Sequence, residues 1–561
     1  MKRFLIIAVA FVFAFSAHAQ TSVLDTSLVQ QYVELQMTPA QLYSFARDYS
    51  VDKVRRTEAG NLLVRVCLGK KEYNRFAALG IPFKTLAPTP AVVNMASSYN
   101  QMVSSWNRYP TYSTYMAMLD TFQHQFPNLC EIDTMLAATP GGHSLFAVHI
   151  SNNLQDKGDK PSFFYSSTIH GDEPVGYYYM LHLIHYMLNN YETDARVRRL
   201  VDSVDIWICP IENPDGTYYY SNNQLGSRYS TRYNYNDVDM NRSYPQFGHS
   251  ESGSYEPEIQ AMMEFGRQHH FTMSANFHGG AELCNYPWDT WTTNQRAHAD
   301  ASWWLEVSRR FADTCHRYHS SYMTEESNGV TEGGDWYVIT GSRQDYFNYF
   351  QSCREMTIEV SEDKILSSNL LPNYWNWIKS SLLNYIEETL YGIRGIVTDS
   401  VTGLPIEAQV MISNHDKDNS QVSSYLPAGD YHRPIKAGTY TVTYSAPGYR
   451  SKTLQLTVGT HATLWQDVAL VPLTYGVADH DASLFTISPN PASDYVVLTA
   501  PDGTVKDVNV ELWDLAGRML KSLPMDESSL RLDLSDIPAG IYMVKIMSAG
   551  TTLHTGKVVK K

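Results

Sequence analysis

The sequence predicts an α/β domain, a mixed sheet with helices on both faces, followed by two all-β sandwich domains. From about Ser104 to Tyr391 short apolar runs alternate with longer helical stretches, the pattern of a sheet covered by helices. From Gly392 the texture becomes short alternating strands punctuated by Gly, Pro and Asp, as in a β-sandwich. After "VADHDAS" a second set of strands and turns follows, including "DYVVLTA", "VNVELWD" and "AGIYMVKIMS". The expected division is 1–19, 20–100, 101–391, 392–473 and 482–561 of the 561 residues, with no internal repeat.

The N-terminus, "MKRFLIIAVAFVFAFSAHAQ", has a basic start, an apolar run from Phe4 to Phe15 and small residues at Ala17 and Ala19. It predicts a secretory signal peptide over 1–19, because the apolar run is shorter than the ~20 residues a spanning helix needs. No other stretch is apolar enough to span a bilayer, so the expected mature protein has no transmembrane segment. Residues 20–100 carry no chemical motif and read as a pro-segment or a small packing region. Within them "EYNRFAALGIPF" reads as a helix ending at Gly80. Asp and Glu outnumber Lys and Arg by 58 to 43, which argues against nucleic acid as a partner, since that needs a basic footprint. Six cysteines, Cys67, Cys130, Cys209, Cys284, Cys315 and Cys353, form no CxxC pair, which argues against a thiolate zinc cluster. Export permits disulfides, and the sequence does not choose a pairing.

In 101–391 the strands are "SLFAVHIS", "SFFYSSTIH", "VDIWICPI", "FTMSANFH" and "EMTIEVS". The second delivers His170 at its end, with Glu173 three residues on and Pro174 suited to the first turn of the next helix. Ligands in open α/β sheets gather outside the carboxyl ends of strands. A lone HxxE fits an exposed turn as readily as a metal site. His278, at the end of "FTMSANFH", completes two imidazoles and one carboxylate, the three protein ligands of a catalytic zinc. Alternation in "EMTIEVS" puts Thr357, Glu359 and Ser361 on one face. Glu359 there is placed to take a proton from an activated water, against the bland reading of a solvent-facing strand residue. In "NYNDVDMNRSYP", Asn241 and Arg242 are adjacent, and a guanidinium holds a carboxylate through two parallel hydrogen bonds. Asp239 reads as the partner that orients a ligand histidine. Taken singly, each arginine, Arg232 included, is as readily a solvated charge. Asp172, between the first two ligands, has no assigned role.

His170-x-x-Glu173, "NPDG" at Asn213–Gly216, R-x-N-x-N-x-V-D-x-N-R from Arg232 to Arg242, "SANFHGG" and "TIEV" together resemble the zinc metallocarboxypeptidases over about residues 100–390. "HGGAELCNYPWD" and "GDWYVITGSRQDY" resemble the N/E (regulatory), carboxypeptidase D-like branch, and the module after Gly392 is similar to that branch's transthyretin-like domain. The resemblance implies that His170, Glu173 and His278 bind one Zn²⁺ and that Glu359 is general base, then acid. It implies that Arg232 polarises the scissile carbonyl, while Asn241 and Arg242 hold the substrate's terminal carboxylate. Tyr337 matches the mobile tyrosine over the bound end. Asp289 matches the acidic residue that accepts a basic terminal side chain, with Gln344 beside it. A buried carboxylate is favourable only when its cationic partner arrives. The family's "GG" before its Asp–Trp pair is Thr340-Gly341 here, its Trp is Tyr346, and "NRNFP" is "NRSYP", changes in pocket walls and not in reacting atoms.

Residues 482–561, with "SPNPASD", "LWDLAGRML" and a terminal "KVVKK", resemble the C-terminal sorting domain of type IX secretion cargo. That implies a secreted or outer-surface protein, with removal of the domain and attachment to the cell surface as implied fates. The expected function is a secreted zinc exopeptidase acting on peptide or protein C-termini and releasing Lys or Arg. One alternative is a carboxypeptidase of the same fold for diaminopimelate-type cell-wall peptides, whose substrate also carries an ammonium. The other is a catalytically silent surface binding protein, against which the presence of all three ligands and Glu359 counts. No GxSxG elbow supports a serine hydrolase.

Overall fold

The computed structural model describes residues 23–561 apart from 26, 47, 58–59, 88–90, 474–484, 501–507 and 549–550. The expected signal peptide and the "VADHDAS" junction lie outside the described residues. Two compact units divide at Val471 and Pro472. Among the described residues no helix is long and apolar enough to cross a membrane.

In the first unit an eight-stranded mixed sheet carries the site. Its strands, in spatial order, are Val330–Glu332, Ala281–Tyr286, Arg354–Ser361, Met273–His278, Ser162–Ser167, Asp205–Cys209, Leu145–Ile150 and Cys130–Leu136. The four central strands, Arg354–Ser361 to Asp205–Cys209, are parallel, with antiparallel neighbours on both sides. Both faces are covered, and alternation shows how. Phe163, Tyr165, Ile206, Ile208, Met356 and Ile358 enter one apolar core with helices Tyr112–Gln125, Val175–Asn190, Ala301–Tyr318 and Leu371–Glu388. Phe164, Trp207 and Cys209 face the other way, against helices Pro257–His269 and Arg343–Phe350. Helix Val175–Asn190 is apolar nearly all round, as a helix inside a core must be.

Residues 30–86 form a separate antiparallel sheet in the order Ser50–Arg56, Leu62–Gly69, Gln30–Met37, Lys84–Leu86, with its own small core. The helix expected up to Gly80 stops at Ala77, and Gly80 takes the left-handed turn beyond it (φ +62°), where a side chain would be strained. From Gly392 two sheets of five and four strands face each other over Val397, Val410, Val442 and Leu470. In the second unit a three-stranded and a four-stranded sheet enclose Val496, Leu512, Val544 and Val558. All six cysteines are free and buried. They sit as small apolar groups at separate places along the chain, Cys315 and Cys353 each against a serine hydroxyl.

Candidate active site

The chain brings His170 and Glu173 to the carboxyl end of the central strand Ser162–Ser167 through a tight loop, Thr168–Pro174. The "NPDG" turn anchors that loop. Asn213 caps its own turn by accepting from Gly216 N (2.8 Å) and donates to the carbonyls of Ile169 (3.1 Å) and Arg232 (3.3 Å). Gly171 packs directly on this turn, where an added Cβ would lie 2.2 Å from the Gly216 carbonyl carbon, so no larger residue fits. His278 is the last residue of its strand and pairs in parallel register with Glu359 on the next. Three strand ends therefore deliver four of the side chains singled out in the sequence to one place.

His170 Nδ1 lies 3.1 Å from both Glu173 Oε1 and His278 Nδ1, and His278 Nδ1 lies 2.8 Å from Glu173 Oε2. Among the described residues this is the one group of three or more His, Cys, Asp or Glu whose ligand atoms converge, all within 4.8 Å. Asp239 Oδ1 faces the other nitrogen of His170, Nε2, at 3.1 Å, which turns Nδ1 toward the cluster. Burial pushes the His278 imidazolium down to about 4, so the ring is neutral near pH 7 with a lone pair to offer. Burial would raise the Glu173 carboxyl, but His170 and Lys364 hold it well below the usual range. Two imidazoles and a carboxylate are the donor set of a single zinc ion, and these residues fit one.

Nine of the ten side chains singled out in the sequence line a single cavity of about 30 Å³ with Val51 and Asp52. Arg232 donates from Nε to Asp239 Oδ2 (2.9 Å) and places Nη1 3.1 Å from His170 Nδ1. Asn241 is fixed by Arg343 N, which donates to its Oδ1 (2.9 Å), and its amide lies 3.4 Å from His278 Nε2. Arg242 keeps a buried Nε without a partner. Glu359 Oε2 is also buried and unpartnered, and burial together with the Glu173 charge raises its carboxyl well above the usual range. Tyr337 reaches the same cavity and packs against the core of the N-terminal sheet.

The tenth residue, Gln344, stands behind the cavity and donates to Asp289 Oδ1 (3.0 Å), as does Asn285 (3.2 Å). Ser342 caps helix Arg343–Phe350 and so sets where Gln344 points. Asp289 N donates to Asp345 Oδ1 (2.8 Å), and burial with the neighbouring Asp289 charge pushes the Asp345 carboxyl up to about 8.

Two features beside the cluster had no signal in the sequence. Lys364, five residues beyond Glu359, puts its ammonium against Glu173 and 2.6 Å from Asp52. Asp172 is held from the N-terminal sheet by Tyr32 and by Gln30 Nε2 (3.1 Å). Only the approach of a remote strand creates these contacts, and no local spacing announces them.

Residues 115–386 match the zinc carboxypeptidase family, 392–471 the carboxypeptidase regulatory-like domain and 486–561 the secretion system C-terminal sorting domain. The chain is 32% identical over 319 residues to mouse carboxypeptidase M, covering 53% of this chain and 69% of that protein. It is 33% identical over 340 residues to carboxypeptidase SOL1 of Arabidopsis thaliana, 59% of this chain and 66% of that one. Human carboxypeptidase D is 31% identical over 408 residues, 69% of this chain but only 29% of the human protein. The chain thus spans less than two thirds of several of the relatives it matches.

Proposed function

The chain belongs to the zinc carboxypeptidase family, and on that premise we propose that it is an exopeptidase that hydrolyses the C-terminal peptide bond of peptides or proteins and releases Lys or Arg. The observation that carries this is the single cavity where a His₂Glu cluster, an unpartnered Glu359 and a buried Asp289 meet. His170, Glu173 and His278 would hold one zinc, which supplies Lewis acidity that polarises a carbonyl and makes a water more acidic. Glu359 accepts the proton of the attacking water and returns it to the leaving amine, a task suited to a carboxylate with a free oxygen and a raised proton affinity. Arg232 donates to the oxygen on which negative charge develops. Arg242 and Asn241 hold the terminal carboxylate, and Tyr337 closes over it. Asp289, fixed by Gln344 and Asn285, faces the ammonium or guanidinium of the last residue.

Support for export comes from the sorting-domain match at 486–561, from which we infer a secreted or outer-surface protein whose partners are peptide C-termini and the secretion machinery. A peptide series differing only in its last residue, Arg, Lys or Leu, beside a muropeptide ending in diaminopimelate, tests the reading. Arg- and Lys-ended peptides should be cleaved, cleavage should stop with a chelator, and added zinc should restore it. Preferential cleavage of the muropeptide would move the assignment to cell-wall peptides, and no cleavage of any member would leave a binding protein.

A further inference from the structure

We propose that Arg296 and Asp418 are positioning residues, through which the module after Gly392 sets the specificity pocket and with it the preference for a basic terminal residue. The inference deepens the carboxypeptidase reading and rests on it for the role of Asp289. The segment Trp288–Arg296 follows strand Ala281–Tyr286 and carries Asp289 near its start. Its first half is fixed from within the sheet domain. Asp345 accepts from the backbone N–H groups of Asp289 (2.8 Å) and Thr290 (3.0 Å) and from Thr290 Oγ1 (2.6 Å). Its second half ends at Arg296, whose guanidinium reaches across to the module after Gly392. Nη2 donates to Asp418 Oδ1 (2.6 Å) and Nε to Asp418 Oδ2 (3.2 Å), a two-pronged pair that a lysine cannot reproduce.

The same guanidinium lies over two rings, 4.6 Å from the centre of Phe247 and 5.0 Å from that of Trp291. Phe247 in turn meets Trp291 at 4.2 Å, Trp288 at 5.1 Å and Tyr349 at 3.9 Å between ring centres. These rings belong to three segments. Trp288 and Trp291 flank Asp289, Phe247 follows Arg242 by five residues, and Tyr349 shares helix Arg343–Phe350 with Gln344. Arg296 therefore sits where the segments assigned to the terminal side chain and the terminal carboxylate meet. On the other side, Asp418 and Asn419 take left-handed backbone (φ +54° and +60°), which Asp and Asn adopt more readily than other side chains. Their turn has bonds of its own: Lys417 N donates to Ser420 Oγ (3.1 Å), and Asn419 Nδ2 donates to the Tyr349 carbonyl (3.1 Å). Of its two acids, Asp416 serves Arg433 inside the module at 2.6 Å, and Asp418 serves the sheet domain. Arg296 is 40% exposed, and an exposed ion pair alone contributes little. The fork and the two rings are what make this pair directional.

The test uses the full zinc-loaded chain as wild type, Arg296→Met, Asp418→Asn and the double variant. Its two readouts are kcat/KM on peptides differing only in a final Arg or Leu, and amide hydrogen exchange over residues 288–296. Each single variant should lower kcat/KM on the Arg-ended peptide roughly three- to tenfold, through KM with kcat held, and leave the Leu-ended peptide within about twofold. The double variant should lose no more than a single one, because both changes remove the same contact. Exchange over 288–296 should quicken in all three. The ratio of the two peptides does not depend on how much protein is folded. An unchanged Arg-to-Leu ratio, or losses that multiply in the double variant, overturns the proposal. If no chain cleaves either peptide, the carboxypeptidase reading falls and hydrogen exchange alone decides: faster exchange over 288–296 in the variants supports the positioning role of the pair, and exchange equal to wild type overturns it.

Discussion

Two buried charge clusters in the first unit have similar ingredients and different endings. One is the site around Glu173. The other joins the sheet domain to the module after Gly392, around Asp300. There both carboxylate oxygens are fully used: Oδ1 accepts from His415 Nε2 (2.7 Å) and Arg433 Nη2 (2.9 Å), Oδ2 from Arg354 Nη2 (3.0 Å) and Arg433 Nη1 (2.9 Å). Arg433 also reaches Asp416 Oδ1 at 2.6 Å. The atom left over in this cluster is a donor, Arg433 Nε. Around Glu173, Glu359 Oε2 has no hydrogen-bond partner, and Asp172 Oδ1 has none beyond the Lys364 ammonium 3.8 Å away. An acidic cluster whose oxygens are all answered by arginines and a histidine is a joint. One with an oxygen still unanswered beside converging imidazoles is poised for a cation or a proton.

The contrast breaks if turnover and stability respond alike in both clusters. Glu359→Gln should lower kcat by roughly 10²–10⁴-fold. Its thermal midpoint should hold or rise, because the change removes a carboxyl whose ionisation burial and the Glu173 charge both oppose. Arg433→Met should do the reverse, costing about 3–5 kcal/mol in denaturant unfolding while kcat/KM per folded molecule stays put. A loss of turnover there would mean that the joint also sets the site.

Asp289 lies between the two cases, bonded yet assigned to a ligand. Asp289→Ala should cost about 2–5 kcal/mol in kcat/KM on Arg-ended peptides and much less on Leu-ended ones. Equal losses on both would remove it from the specificity pocket. Acid should expose the joint most gently. Burial would raise the Asp300 carboxyl, but Arg433, Arg354 and His415 hold it well below the ordinary range. A depressed carboxyl contributes stability above its unfolded value, near 3.9, and loses it as pH falls toward the folded value. The thermal midpoint should therefore drop below about pH 4, and this drop should be shallower in Asp300→Asn. An identical acid profile in the two proteins would assign acid unfolding to other carboxylates.

Much of the site was legible because its spacing is local. HxxE follows one strand, His278 ends another, and alternation alone selects the face of Glu359. The role of Asn213 was carried by a turn motif, although its bonds to Ile169 and Arg232 appear only on folding. Asp172 shows the limit, since its partners Gln30 and Tyr32 belong to another sheet. Cysteine count and export left disulfides open, and packing placed each thiol alone in the core.

By itself, then, the sequence determined the layered α/β plan, the two β modules and the residue types at each strand end, because side-chain periodicity and turn chemistry act over a few residues. Tertiary structure alone decided that His170, Glu173 and His278 converge within hydrogen-bonding distance, that Lys364 joins them, and that the bulged Asp52 reaches in from an edge strand. Those distances follow from how separate sheets pack, and packing is settled by summed contacts across the chain that no short stretch encodes.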